Sequence, residues 1–295
     1  MRRGTAQIKK NYEGITMRTD FALLSAQVAG GVATVTIDNP PINVITLPLY
    51  RELMQVIEEI QDDPELSVAV FKSANPDFFL AHFDVEAILQ FPIDGDAERS
   101  AELNPFHLMC ERLRNMDKVT IAQIEGRVGG GGSELVASMD MRFGVTGQTI
   151  VNQMEVPLGI LPGGSGTQRL PRLVGRGRAM EIILGGEDLD AETAERWGYL
   201  NRIYPASEID GAVNNLAQRI ARFPRPAVRL AKASVNAAEL PLGQGLSEEA
   251  YLFARLLRTD EAQQAMGKFM AIGGQTREGE MRVADLVDEL TRNDE

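Results

Sequence analysis

Gly126-Arg127-Val128-Gly129-Gly130-Gly131-Gly132-Ser133-Glu134, followed by Glu155-Val156-Pro157-Leu158-Gly159-Ile160-Leu161-Pro162-Gly163-Gly164-Ser165-Gly166-Thr167-Gln168-Arg169, sets two glycine-rich turns in one stretch, each with a glutamate beside it. Four consecutive glycines open the backbone to close approach, because no Cβ keeps a ligand or another strand away. At a helix start their N–H groups gain the positive end of the helix dipole. A carboxylate next to such a donor nest puts a base beside a site that stabilises negative charge. That pairing suits proton transfer at a carbon α to a carbonyl, where an enolate must be held.

Outward from this stretch the chain alternates strand and helix. Val32 to Ile37 is β-branched and follows Gly30-Gly31, which predicts a hairpin from about Ala22 to Asp38. Leu49, Leu53, Val56, Ile57 and Ile60 recur at helical spacing until Asp62-Asp63-Pro64. Val68 to Phe71, Val119 to Ile124 and Met141 to Val145 read as strands, with helices around Phe106 to Met116 and from the glycine run through Val136. Strands separated by helices predict an α/β fold with a largely parallel sheet. After Gly175 the pattern turns helical, over Glu192 to Trp197, Ile209 to Phe223, Arg225 to Ala238 and Ser247 to Leu257, with one strand at Asn201 to Tyr204. Gly273 to Gly279 reads as a flexible joint. Beyond it Met281, Val283, Leu286, Val287 and Leu290 form the stripe of a docked terminal helix.

Composition removes several classes of function. The chain has 295 residues, 44% hydrophobic and 24% charged, enough for a substantial core. A formal net charge of −12 argues against a nucleic-acid partner. Cys110 stands alone, so no intrachain disulfide and no cysteine-built zinc site can form. The basic opening Met1-Arg2-Arg3-Gly4 leads into polar residues rather than an apolar stretch, and no run approaches membrane-spanning length. The expectation is a cytoplasmic protein with no membrane partner. Gly163 to Thr167 lacks the spacing of a nucleophile elbow, and Gly175-Arg176-Gly177 lacks that of a dinucleotide fingerprint. Arg169, Arg172, Arg176 and Arg178 read as a solvated or intersubunit face.

From Val32 to Phe269 the sequence resembles the crotonase family, the enoyl-CoA hydratase/isomerase superfamily. The resemblance rests on Asn39-Pro40-Pro41-Ile42-Asn43-Val44-Ile45, Phe79-Leu80-Ala81-His82-Phe83-Asp84, the two glycine-rich motifs, and Asp190 to Glu195 before Gly198. It implies a crotonase-like ββα-repeat spiral core over 20–200. A helical trimerisation region over 201–272 follows, then a linker and terminal helix over 273–295, in a homotrimer or homohexamer. It also implies an oxyanion hole from the backbone N–H groups of Ala81 and Gly131. Glu134 and Glu155 are then the acid–base pair around one water, with the pKa of one raised because both cannot comfortably ionise together. Phe79, His82, Asp84, Gly130, Pro162 and Gly163 fall around the substrate, with no metal and no cofactor beyond the CoA that the substrate carries.

The implied activity is a lyase adding or removing water at an α,β-unsaturated thioester. Alternatives are isomerisation, or hydrolytic or lyase chemistry on a carbonyl substrate without CoA; a catalytically idle binding protein is a further class. Departures from the family bear on this choice. The Asn39 to Ile42 loop has no basic residue, Glu86 stands where a cation is common, and Met270 to Gly274 replaces a basic cluster. CoA phosphates pair naturally with cations. Arg277 and Arg282 are the candidates to compensate. His82 also departs, standing where a small residue is usual, either as a substrate contact or proton relay or as a side chain turned away. His107 reads as packing.

Overall fold

In the computed structural model, residues 20–291 are described; Met1-Arg2-Arg3-Gly4 and residues 292–295 lie outside them. Strands β1 (Leu24–Ala29) and β2 (Val32–Ile37) pair antiparallel as the expected hairpin. Its Gly30-Gly31 turn takes φ of +57° and +77°, the left-handed region that glycine enters without strain. Helix α1 (Leu47–Asp62) starts at Thr46, whose Oγ1 accepts from the Leu49 N–H, and buries the stripe read from its sequence.

The chain then winds in strand–strand–helix turns. The first is β3 (Val68–Ser73), β4 (Phe78–Leu80), α2 (Val85–Ile88) and α3 (Pro105–Asn115). The second is β5 (Val119–Ile124), β6 (Arg127–Gly129) and α4 (Gly130–Ala137). The third is β7 (Met141–Val145), β8 (Ile150–Asn152), a 3₁₀ turn at Val156–Leu158, α5 (Gly166–Val174) and α6 (Arg176–Gly185). Then come β9 (Leu189–Asp190), α7 (Ala191–Trp197) and β10 (Arg202–Tyr204). Helices close the chain: α8 (Ile209–Ala221), α9 (Arg225–Asn236), α10 (Leu242–Leu256), α11 (Asp260–Ala271), α12 (Arg277–Met281) and α13 (Val283–Thr291).

Each winding gives its first strand to one sheet and its second to another. The six-stranded sheet runs β1-β2-β3-β5-β7-β10, and the four-stranded sheet runs β4-β6-β8-β9. Successive windings pair parallel in both sheets. Alternate residues of the large sheet feed two cores, as strand periodicity requires. Val68, Val70, Val119 and Ile121 face Ile209, Val213 and Ala217 of α8, while Ala69, Phe71, Ala122 and Ile124 face the larger core with α1 and α3.

The elements that the sequence hid are the short ones. No strand of the four-stranded sheet exceeds three residues, too few for an alternation to register. Helix α10 begins at Leu242, earlier than Ser247, because Pro241 fixes its start and Gly243 and Gly245 mask it. The 273–279 segment is a tight turn capped by Thr276 that runs into α12 at Arg277, rather than an open joint. Thr276 Oγ1 accepts from Gly279 N, and Gly279 packs so tightly on Gly273 that a Cβ would lie 2.1 Å from its carbonyl oxygen. Helix α13 docks through Leu286, fully buried, and through Asp288, paired with Arg219 of α8, whereas Met281 of the expected stripe falls in α12 and is exposed. Among the described residues no helix is long and apolar enough to cross a membrane.

One crossing positions everything that follows. After β4 the chain runs over the first turn of α4 at contact distance. A Cβ on Gly129 would lie 2.6 Å from the Ala81 carbonyl oxygen, and one on Gly132 would lie 2.5 Å from that of Leu80. The obstruction is backbone and cannot rotate away. Gly132→Ala therefore lowers stability by about 1–3 kcal/mol, whereas Gly211→Ala in α8, where a Cβ meets open space, raises it by roughly 0.5–1 kcal/mol. Urea unfolding of both variants checks this; shifts of the same sign would show that the crossing does not require glycine.

Candidate active site

The segment crossing α4 is fixed on its other side by a loop. Ile45 N donates to His82 O and Asp84 N donates to Ile45 O, forming a parallel bridge between Ile45 and Phe83. In extended chain, the peptide groups of alternate residues point to opposite sides. With His82 O and Asp84 N turned to Ile45, the N–H of Phe83 turns the other way, toward the glycine run. There it lies 3.4 Å from the position a Gly131 Cβ would occupy. Asn43 anchors the same loop, its Nδ2 donating to Ser73 Oγ and to the carbonyls of Phe78 and Phe79. This is the structural use of the 39–45 motif.

Glu134 projects from α4 into the second glycine turn. Its Oε1 accepts from Gly164 N at 2.8 Å and from Gly166 N at 2.7 Å. No larger residue fits at 164, where a Cβ would lie 2.6 Å from Glu134 Oε2 and 2.7 Å from the Phe106 ring. Glu155 opens the 3₁₀ turn and lies over Gly130, with Oε1 3.0 Å from where a Cβ would be. Its Oε2 is buried without a hydrogen-bond partner. Leaving such a group unpaired normally costs about 1–3 kcal/mol.

Both carboxyl groups line one cavity of about 660 Å³. Its other walls are mainly apolar, from Leu47, Tyr50, Phe83, Ile88, Phe106, Leu158 and Leu161, and His82, Phe83 and Gly131 border it. Tyr50 stacks on Phe106 at 6.3 Å and Phe83 meets Phe106 edge-on at 5.9 Å, giving a rigid aromatic side. Burial dominates the electrostatics. It pushes the Glu134 carboxyl up to about 8 despite the N–H groups of Gly166 and Gly164, with the nearby Glu155 adding to the rise. Glu155 is also raised, again by burial first, with its own and Met154's backbone and the charge of His82 pulling the other way. At neutral pH the pair is thus set to hold a proton.

Glu134, Glu155, Gly131, His82 and Gly163 come together on the cavity as the sequence suggested. Others stand elsewhere. Ala81 is buried off the cavity wall with its carbonyl against Gly129, and the N–H beside Gly131 belongs to Phe83, two residues on. Phe79 is a fully buried core residue, and Asp84 caps α2 by accepting from Glu86 N and Ala87 N. Gly130 lies beneath Glu155 and His82 rather than on the wall, and Pro162 is buried against Gly166. The His82 ring is not turned away: it borders the cavity, with Nδ1 donating to Phe83 O at 2.8 Å, since a carbonyl can only accept. Sequence reasoning missed Phe83 and the aromatic wall. Phe83 meets the glycine run through its main-chain N, where residue type gives no signal. Arg169 is no solvated cation but is paired with Glu111 at 2.5 Å, and His107 holds Gly163 O at 2.8 Å.

A sequence profile described as enoyl-CoA hydratase/isomerase matches residues 27–273. This chain belongs to the enoyl-CoA hydratase/isomerase family. A Rhizobium meliloti protein named as a probable enoyl-CoA hydratase is 32% identical over 256 residues, covering 85% of this chain and 96% of that one. The short-chain-enoyl-CoA hydratase of Clostridium acetobutylicum is 30% identical over 247 residues, covering 82% and 92%. Among solved structures, an enoyl-CoA hydratase from Geobacillus kaustophilus superposes with a TM-score of 0.76 at 27% identity, covering 84% and 94%. The fold is therefore the crotonase ββα spiral, and the chain is an enzyme of this family, whose named relatives are hydro-lyases.

The raised Glu134 carboxyl ties stability to pH. An unfolded glutamate releases its proton near 4.5, while the folded one keeps it until about 8. Between these values the native state binds more protons, so stability contributed here falls as pH rises. Glu134→Gln, neutral throughout, removes that loss. The Tm of the variant relative to the parent should rise between pH 5 and pH 8.5 in a calorimetric series. A difference independent of pH would mean that Glu134 ionises normally.

Proposed function

We propose that this enzyme adds water across the double bond of a 2-enoyl-CoA thioester, and removes it in reverse, with Glu134 and Glu155 as the acid–base pair. The proposed oxyanion site is the peptide N–H groups of Gly131 and Phe83. The observation that carries this reading is the convergence of two buried carboxyl groups and the glycine-run edge on one apolar cavity.

The chemistry follows from charge. With the thioester oxygen against the two N–H groups, negative charge that develops as water attacks C3 meets fixed donors, and the transition state is stabilised more than the ground state. Each such donor is worth about 10²–10³ in rate. The ionised member of the glutamate pair takes a proton from the attacking water, whose oxygen bonds to C3. The protonated member delivers its proton to C2. The pair gains one proton and loses one, so it ends with the single proton it began with. Water addition moves two protons together, which suits two carboxyls; isomerisation needs only one shuttle. No resident cofactor enters these steps.

A second reading, a carbonyl substrate without CoA, rests on two observations. Among the described residues no lysine or arginine lines the cavity, and Arg282, a candidate for phosphate binding, is paired with Glu289 at 2.7 Å. The names of the relatives favour the CoA thioester.

Turnover of crotonyl-CoA decides between them. Glu134→Gln and Glu155→Gln should each lower kcat by about two to four orders of magnitude while circular dichroism stays native. Near-parental turnover in either variant would remove that residue from acid–base work. A parent inactive on a panel of enoyl-CoAs would make the CoA-free substrate the leading reading.

A further inference from the structure

The turn that holds Glu134 is itself held from one side. Ser165 lies between the two glycines that donate to Glu134 and takes φ of +107°. A non-glycine residue there costs about 1–3 kcal/mol and persists only where its surroundings over-determine it. Helix α3 and its partner supply that determination at three points. His107 Nε2 donates to Gly163 O at 2.8 Å, and Cys110 Sγ reaches Gly164 O at 3.6 Å. Glu111 accepts from Arg169 Nη2 at 2.5 Å, and Arg169 Nε donates to Ser165 Oγ at 3.0 Å. His107, Cys110 and Glu111 are spaced i, i+3 and i+4, which puts them on one helix face. Neither His107 nor Arg169 lines the cavity; their contacts run to the 163–166 turn and to Glu111.

We propose that His107 and the Arg169–Glu111 pair are positioning residues: this face of α3 clamps the 163–166 turn, and through the Gly164 and Gly166 N–H groups it fixes where the Glu134 carboxyl points. The inference rests on the acid–base role proposed for Glu134. A carboxyl displaced by about 1 Å from the reacting water is enough to cost on the order of 10² in rate. The clamp also explains why a histidine with no metal partner stands on α3: among the described residues no cluster of potential metal ligands includes it.

Two readouts test this, one of them independent of turnover. In His107→Ala and in Arg169→Ala, amide hydrogen exchange at Gly164 and Gly166 should quicken on the order of tenfold, because the turn opens locally. The same variants should lose about 10- to 100-fold in kcat on crotonyl-CoA with KM changed less than about threefold. His107→Gln, whose side-chain amide can donate to the same carbonyl, should keep most of the parental kcat. If His107→Ala does not fold, Arg169→Ala carries both readouts. Unchanged exchange at both glycines overturns the clamp whatever the rates do. Faster exchange with parental kcat, in a protein that Glu134→Gln inactivates, overturns it as well. If the parent turns over no enoyl-CoA, the proposed function fails on its own and the exchange data alone judge the clamp.

Discussion

The close passage of residues 80–83 over the first turn of α4 is the constraint on which the site depends. Two backbones meet there with no room for a Cβ at Gly129 or Gly132. Because they meet, the Phe83 N–H and the start of α4 share one edge, and Glu155 and His82 come to lie over Gly130. The spiral makes this passage possible. Each winding delivers a short strand of the small sheet and then a helix start to the same region, so that segments far apart in sequence converge. Gly129 and Gly132 are thus a packing requirement of the crossing itself.

A second constraint is electrostatic. Two carboxyl groups are buried in a mainly apolar cavity where, among the described residues, no lysine or arginine lines the wall. Burial favours the protonated forms, and the two N–H bonds to Glu134 Oε1 oppose it without reversing it. Such a pair costs stability at neutral pH. Proteins commonly accept such a cost where chemistry requires a proton to be held and released near pH 7. Tyr50, Phe106 and Phe83 form an aromatic side of the same cavity.

Much of this was legible in the sequence, and what was not has physical causes. The hairpin announces itself by its Gly30-Gly31 turn and α1 by its helical period, while the central strands show as short apolar, β-branched runs because they are buried on both faces. The four-stranded sheet does not, since strands of two or three residues carry no period. Glu134, Glu155 and Gly131 were readable because side-chain chemistry and glycine are visible in a sequence. The amide facing the glycine run has no residue type to announce it, and the Ile45–Phe83 bridge turns the Phe83 N–H, not that of Ala81, toward Gly131. The roles of His107 and Arg169 are not visible in the sequence, which suggests packing for one and a solvated or intersubunit face for the other, because their partners are brought near only by the fold, at separations no spacing rule reaches.

The central claim is geometric, that one edge of backbone holds the substrate oxygen while two carboxyls share its proton traffic. A crystal structure with acetoacetyl-CoA, which binds as a thioester but has no double bond to hydrate, tests it most directly. The account predicts the thioester oxygen about 3 Å from both the Gly131 and Phe83 nitrogens, with C2 and C3 between Glu134 and Glu155. A thioester oxygen outside reach of either nitrogen, or an acyl group lodged away from both carboxyls, would contradict it.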